Sequence, residues 1–400
     1  MNMSSSPDTA AVTPGAVARV EAAGHTLELF TQTHLLFEAM LLDIAAAKSR
    51  VWLETYIYSD DLASYTIADA LQRRAQEGLD VRLLYDALGS QHTNPEIFRK
   101  MAAAGVQVHA YHRIKEALHS VAAFIILNRR DHRKLLVVDE CCAYFGGMNI
   151  HDHGRLFRAS PTDPSVDPSA AWRDLHIRLA GPQQVEVADS FERSWMHAKG
   201  EKMAWRPRDY RRVSLRQSDE SIQFFDTGPG LKFSRAPRVF RRLLRSANHS
   251  VVIAMAYFIP VGRVMREIIR ARRRNVHVHV LVPSLTDVPV AQYATWYLYR
   301  KLLQLRIRLY ERKNRVMHTK AMVIDRQWTV VGSANMDPRS LYINLEFMVV
   351  IRSQAFAQAV IRVARNEMRR SRRVRFADCE KRTVKQRFVS TLAYSFRWWL

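Results

Sequence analysis

Two stretches of this chain, 186 positions apart, carry the same pattern: His132-Arg-Lys134-Leu-Leu-Val-Val-Asp139 and His318-Thr-Lys320-Ala-Met-Val-Ile-Asp325. Each continues to a small-residue turn that ends in Asn: Gly146-Gly147-Met148-Asn149 and Gly332-Ser333-Ala334-Asn335. From His to Asn is 17 positions in both copies. The surroundings repeat as well. Val51–Tyr58, a helical stretch to Glu77, and Val81–Tyr85 match Val251–Ile259, a helical stretch to Arg274, and Val276–Val282. A chain built twice folds as two similar units. Apolar β-branched runs alternating with helical patterns predict β-α-β units and a mainly parallel sheet in each. The segments Lys134–Val138 and Lys320–Ile324 read as further strands.

Four hundred residues accommodate two such units. The boundaries expected are a flexible N-terminus over 1–24, a first unit over 25–205, a second over 206–352, and a basic, aromatic tail over 353–400. A polar stretch from Ala198 to Glu220 would join the halves. The Pro-, Asp- and Ser-rich run Ala159–Ala170 reads as a surface loop. The stretch Leu118–Leu127 is expected to be core rather than a lining of the entrance.

In a strand, His132 and Lys134 share one face, as do His318 and Lys320. A His attacks phosphorus or moves a proton near neutral pH. Lys and Asn supply a cation and an amide donor for phosphoryl oxygens. One His cannot easily be both nucleophile and leaving-group acid, and two facing copies divide those roles. The chemistry expected is phosphodiester cleavage or exchange, with no metal and no cofactor. Asp139 and Asp325 complete the catalytic motif, and their place at strand ends favours support over direct chemistry. Ser333 joins Asn149 and Asn335 as a phosphate-binding candidate. A nucleophilic His needs a carboxylate on its other ring nitrogen. Asp174 and Glu346, 42 and 28 positions after the His of their own copies, are the candidates. His92, His109, His112 and His119 show no metal-ligand spacing.

The net charge is +23, from 61 Lys and Arg against 38 Asp and Glu. Such a chain is drawn to polyanions, whether nucleic acid, membrane or anionic substrate. Three cysteines make no disulfide framework, and Met1–Val20 has no secretory pattern. No run approaches the roughly 20 apolar residues of a spanning helix. The tail carries Arg369-Arg-Ser-Arg-Arg-Val-Arg375 and ends with Phe388, Leu392, Phe396, Trp398, Trp399 and Leu400. It reads either as an interfacial anchor or as a helix packed on the core.

The paired motifs, with Glu54–Tyr58, Tyr85–Ser90, Arg130–Lys134, Trp172–Asp174, Tyr257–Pro260 and Val331–Ser340, resemble the phospholipase D superfamily, and within it the bacterial cardiolipin synthases of the short type. The resemblance covers about residues 25 to 352. It implies two phospholipase D-like α/β/α domains with mixed, mainly parallel sheets, packed so that one active site forms at their interface. It further implies a transphosphatidylase that forms a phosphatidyl-histidine, with phosphatidylglycerol as donor and acceptor, His132 as nucleophile and His318 as acid/base. Implied partners are anionic phospholipids and a membrane surface, met peripherally on the cytoplasmic face of a bacterial inner membrane. Nucleic acid and an obligate protein partner are not expected. A phospholipase D-type hydrolase, or a nuclease acting on nucleic acid, is the alternative. The first copy departs in having Gly147 where the second has Ser333, which removes a hydroxyl from that side of the cradle.

Overall fold

A computed structural model describes residues 13–112, 128–158, 165–167, 170–200, 219–227 and 234–399. Leu118–Leu127, most of the Ala159–Ala170 loop and most of the Ala198–Glu220 connection lie outside these. The first half forms strands β1 (Ala18–Ala22), β2 (His25–Phe30), β3 (Arg50–Thr55), β4 (Asp80–Asp86), β5 (Gln107–Tyr111), β6 (Leu135–Val138), β7 (Cys142–Gly146) and β8 (His176–Ala180). The second half forms β9 (Ser221–Thr227), β10 (Ser250–Met255), β11 (His277–Pro283), β12 (Arg308–Arg312), β13 (Lys320–Ile324), β14 (Trp328–Gly332), β15 (Glu346–Arg352) and β16 (Ser371–Arg373). They make two eight-stranded sheets, ordered β1-β2-β8-β7-β6-β3-β4-β5 and β16-β12-β11-β10-β13-β14-β15-β9.

The sheets are mixed, as expected, but parallel pairing is narrower than the repeat pattern suggests. Among the described strands, only β3-β4-β5 and β10-β11-β12 pair in parallel. Those are the strands joined by helical crossovers. β6 and β7, or β13 and β14, are joined by tight turns, and a short hairpin connection pairs only antiparallel strands. Local signals set the helix starts. Asp61 caps helix Leu62–Gln76 by accepting from Ser64 N–H at 2.8 Å, and Pro95 opens helix Pro95–Ala103 behind the Asn94 cap.

Alternation divides the side chains of each sheet between two cores. Leu136 and Val138 face the helices of the first half, which include Thr33–Ala46 and Leu62–Gln76. Leu135, Val137, Phe145 and Ile177 face inward, to a core shared with Ala321, Val323, Val331 and Phe347 of the second half. Phe145 and Phe347 meet edge to face there, with centroids 5.7 Å apart. Helix Gln184–Ala198 covers the inner face of the first sheet and reaches β9 of the second. Helix Gln354–Arg369 covers the inner face of the second and reaches β1 of the first. The halves therefore exchange edge contacts reciprocally.

The termini differ from the sequence-based boundaries. β1 lies within the supposed flexible N-terminus, yet pairs along its whole length with β2 because Gly24 makes the hairpin turn at positive φ. The tail is not an appendage. Gln354–Arg369 is a core helix and β16 extends the second sheet beside β12. Helix Val384–Ser395, begun by a Thr383/Gln386 capping box, lies along helix Pro289–Gln304, where Tyr394 stacks on Tyr297 at 4.3 Å. Among the described residues, no helix is long and apolar enough to cross a membrane.

Candidate active site

The two motif segments meet between the halves, and each is held by the other half. Asp131 bridges Leu345, and His132 N–H donates to the Leu345 carbonyl at 3.0 Å. Reciprocally, Arg173 bridges Met317, and His318 N–H donates to the Arg173 carbonyl at 2.6 Å. The segment before each catalytic strand thus pairs with the segment before the opposite half's carboxylate.

That pairing crosses the carboxylates. His132 Nδ1 lies 3.1 Å from both carboxylate oxygens of Glu346, and His318 Nδ1 lies 2.8 Å from Asp174 Oδ2. The sequence order suggested that each His would use the carboxylate of its own copy. The structure gives each His the carboxylate of the other. A carboxylate accepts from Nδ1–H, so each Nε2 is left without that proton in the neutral ring, free to attack or to take a proton.

The lysines are placed less simply than strand alternation predicts. β6 begins only at Leu135, so His132 and Lys134 precede regular pairing. Lys134 Nζ curls back to donate to the His132 carbonyl at 2.6 Å, and Lys320 Nζ donates to the His318 carbonyl. Lys320 Nζ also lies 3.8 Å from Asp174 Oδ2. Asn149 accepts from Ile57 N–H at 3.2 Å through its side-chain oxygen, which leaves its amide nitrogen as a donor. The Asn335 side-chain oxygen is buried without a hydrogen-bond partner among the described residues.

Burial sets the electrostatics. It holds the His132 imidazole well below the usual range, reinforced by the Lys134 and Lys320 cations and by His318. Burial lowers His318 as well, and Lys320 adds to this while Asp174 opposes it. Burial pushes Lys134 down to about 7 and Glu346 up to about 7. Asp174 behaves oppositely: burial raises it, but Lys320 and the His318 hydrogen bond outweigh burial and leave it below the ordinary value. The pseudo-symmetric site is therefore electrically uneven. His318 sits against a carboxylate held below its ordinary pKa, and His132 against one that burial raises to about 7. Among the described residues, no group of three His, Cys, Asp or Glu side chains is placed to hold a metal.

A paired motif buried between two matching sheets is a family trait, and comparison with known proteins identifies the family. A family model described as "Cardiolipin synthase, PLD-like domain" matches residues 40–156 and 240–368, one segment in each half. The chain belongs to this family. It is a phospholipase D-type enzyme. It is 28% identical to cardiolipin synthase A of Serratia proteamaculans over 93% of this chain and 75% of that protein. It is also 28% identical to cardiolipin synthase 1 of Staphylococcus epidermidis, over 92% and 72%. In fold it matches the crystal structure of phosphatidylserine synthase from Haemophilus influenzae Rd KW20, with a TM-score of 0.71 and 14% identity, over 96% of this chain and 95% of that one.

Within this PLD-like site, three expected members stand elsewhere. Asp139 and Asp325 occupy the turns at the far ends of β6 and β13, at φ +48° and +50°. Asp139 accepts from the N–H groups of Lys48, Ser49 and Arg50, and Asp325 from those of Asn248, His249 and Ser250, all at 2.7–2.9 Å. Each ties its hairpin turn to the loop entering the neighbouring strand, seven residues from its His and so roughly 20 Å away along an extended chain. Ser333 donates its hydroxyl to Glu346 and accepts from Phe347 N–H at 3.0 Å, so it holds the carboxylate rather than facing a phosphate.

Other residues support the site, most of them inside the runs that carry the resemblance but with no role assigned by it. Arg133, fully buried, donates to Ser190 and to the Thr227 carbonyl at 3.2 and 3.3 Å, tying the first motif to helix Gln184–Ala198 and β9. Arg130 pairs with buried Asp86 at 3.3 Å. Trp172 lies 5.2 Å and Tyr257 6.2 Å from the His318 ring, and His153 stacks on Trp172 at 3.5 Å. Arg133 sits in the charged run Arg129–Lys134, so nothing in the sequence separates this buried arginine from its solvated neighbours.

Proposed function

We propose that the enzyme transfers a phosphatidyl group from one phospholipid to the hydroxyl of another, with phosphatidylglycerol as donor and acceptor and cardiolipin as product. The observation that carries the mechanism is the crossed pairing of the two histidines with unlike carboxylates. His132 Nε2 attacks phosphorus, and the bond to the head-group oxygen breaks. His318 donates its proton to that oxygen and glycerol leaves. His318 then takes the proton of the acceptor hydroxyl, whose oxygen attacks phosphorus, and the P–N bond breaks to restore His132. Burial lowers both imidazoles, with Lys134, Lys320 and His318 taking His132 well below its ordinary value, while ionised Asp174 counters the lowering at His318. Lys134, Lys320 and the Asn149 amide bear on the phosphoryl oxygens. The names of the relatives support the lipid substrate.

The same reading places the protein peripherally on an anionic bilayer at the cytoplasmic face. Helix Val384–Ser395 buries one side against the core. It exposes Val384, Phe388, Leu392 and Phe396, four residues apart, followed by Trp399, with Phe388 68% and Trp399 65% exposed. Exposed Leu285, Val288 and Val290 flank Asp287, which accepts from Tyr257 Oη at 2.6 Å beside His318. Tyr257 and Ala393 share one small apolar cluster, so the stripe and this loop adjoin the site. Interspersed Lys385, Arg387 and Arg397 suit an anionic surface, at about 1 kcal/mol each when close.

The test is to incubate purified protein with labelled phosphatidylglycerol, with and without phosphatidylethanolamine, and to identify both the lipid formed and the alcohol released. Cardiolipin and glycerol are expected, with a protein-bound phosphatidyl group that His132→Ala lacks. No lipid product under either condition, or salt-sensitive cleavage of DNA instead, refutes the assignment.

A further inference from the structure

At the end of the second sheet remote from the histidines, the strands present a cationic groove. Position alternation builds it. Ser250 and Val252 of β10, His277 and His279 of β11, and Arg308 and Tyr310 of β12 are all i, i+2 pairs on the face covered by helix Gln354–Arg369. The helix contributes Ile361, Arg365, Met368 and Arg369, which share a side at helical spacing. Arg326, from the β13–β14 turn, closes the end. The cavity is about 610 Å³, within the range of small-molecule sites. β10 runs from Ser250 here to Met255 beside the active site, so the two are roughly 15–20 Å apart.

Two features separate this groove from an ordinary solvated basic face. First, among the described residues, no carboxylate lines it. The nearest in sequence are engaged: Asp325 with the N–H groups of Asn248–Ser250, and Glu367 with Arg312 at 2.5 Å. The half-buried His279 is held down at about 4, first by burial and then by Arg308, His277, Arg365 and Arg373, so it is a neutral hydrogen-bonding group among fixed cations. Second, the groove is amphipathic. Val252, Tyr310, Ile361 and Met368 are buried or half-buried and form its floor, whereas Arg308, Arg326, Arg365 and Arg369 are exposed at its rim. Converging guanidiniums with no anionic partner repel one another, and planar guanidinium forks match phosphate oxygens.

We propose that this groove is a second ligand site, separate from the catalytic one, for a phosphate group carried on an apolar chain. The phosphate lies among Arg308, Arg365 and Arg369, and the chain lies on Ile361 and Met368. A phospholipid head group at a bilayer and a soluble alkyl phosphate present the same chemistry.

The full chain is titrated calorimetrically with octyl phosphate below its micelle-forming concentration, with inorganic phosphate, and with phosphatidic acid vesicles. Two octyl phosphate binding events are expected. In Arg308→Gln/Arg365→Gln one of them weakens at least tenfold, while lipid turnover at saturating substrate stays within twofold. Met368→Ser weakens octyl phosphate about threefold or more and leaves inorganic phosphate unchanged. Vesicle affinity lowered in the double variant identifies the bilayer as the source of the phosphate, and vesicle affinity equal to that of the wild type, then carried by the C-terminal stripe alone, identifies a soluble ligand. Octyl phosphate binding that is the same in the double variant and the wild type overturns the proposal. Equal weakening by Arg238→Gln, an exposed arginine on helix Ala236–Ser246, also overturns it, because the effect is then net charge alone.

Discussion

Among the positions where the two copies differ is one small residue, Gly147 against Ser333, and the structure gives that difference a consequence. A Cβ built on Gly147 falls 2.3 Å from Asp174 Oδ1 and 2.4 Å from Oδ2. Ordinary contact begins near 3.4 Å, so a methyl group displaces the carboxylate by about 1 Å. Added to the present 2.8 Å, that shift takes His318 Nδ1 beyond hydrogen-bond reach of Asp174. A charge-assisted hydrogen bond contributes about 1.5–3 kcal/mol, which corresponds to a roughly 10- to 150-fold loss in rate. Gly147→Ala is therefore expected to lower kcat for lipid transfer by that range while the protein stays folded. In the second copy Ser333 reaches the longer Glu346 without conflict, and Ser333→Ala removes only a neutral donor, worth about 1 kcal/mol or a fewfold in kcat. The assay is product formation in mixed micelles beside thermal melting of each variant. If Gly147→Ala retains kcat within twofold of wild type, the contact between this glycine and Asp174 does not hold the His318 orientation, and the reasoning fails.

The pH profile of kcat/KM should be a narrow bell centred near 7. Below it Glu346 protonates and releases His132 Nδ1, above it Lys134 loses its cation, and Glu346→Gln should remove the acid limb. Asp139→Ala and Asp325→Ala should act on stability, each costing about 1–3 kcal/mol through orphaned backbone N–H groups, with kcat per folded molecule within about threefold of wild type. Phe388→Glu/Trp399→Glu should abolish sedimentation with phosphatidylglycerol vesicles and leave the melting temperature unchanged; wild-type co-sedimentation would remove the stripe from the membrane contact. Arg133→Met removes buried hydrogen bonds to Ser190 and the Thr227 carbonyl while Asp226 keeps its pair with Arg193, and should lower the melting temperature, with a cost of about 1–3 kcal/mol.

The duplicated pattern made the two-unit architecture legible, since equal His-to-Asn spacing in repeating surroundings leaves few other folds. The six motif positions, by contrast, were legible as a set but not by task. For Asp139 the strand-end position already favoured support over direct chemistry, and an extended strand does carry it away from His132 to a turn whose neighbouring N–H groups it accepts from. Asp174 and Glu346 stood out as carboxylates at matching places. Their exchange did not, because it depends on Leu345 pairing with Asp131 and Arg173 with Met317 across the interface, and spacing within one half carries no record of the other. Ser333 carries a related ambiguity: a hydroxyl in a phosphate cradle and a hydroxyl bracing a carboxylate look the same in a sequence. The parallel character of the sheets was overestimated because the alternation of apolar runs with helices marks β3-β4-β5 and β10-β11-β12 only, while hairpin strands such as β6 and β7 are equally apolar on both faces.

The crossed carboxylates make the two halves interdependent in a way that simple packing would not. Separate them, and His132 loses Glu346, His318 loses Asp174, and both motif segments lose their backbone partners in the same step. The apolar core between the sheets would be exposed with them. A half on its own retains a His, a Lys and an Asn but lacks the group that fixes its imidazole tautomer, so it holds neither half of the acid–nucleophile division. The exchange also explains how a duplicated site becomes asymmetric without losing its symmetry of fold. Each half can alter the carboxylate it lends, Asp174 or Glu346, together with the small residue beside it, Gly147 or Ser333, and so tune the histidine of its neighbour. In this chain the shorter, ionised carboxylate serves His318, and the longer one, poised near 7, serves His132. On the proposed mechanism, the division of labour between two matching motifs resides in the residues that differ between the copies.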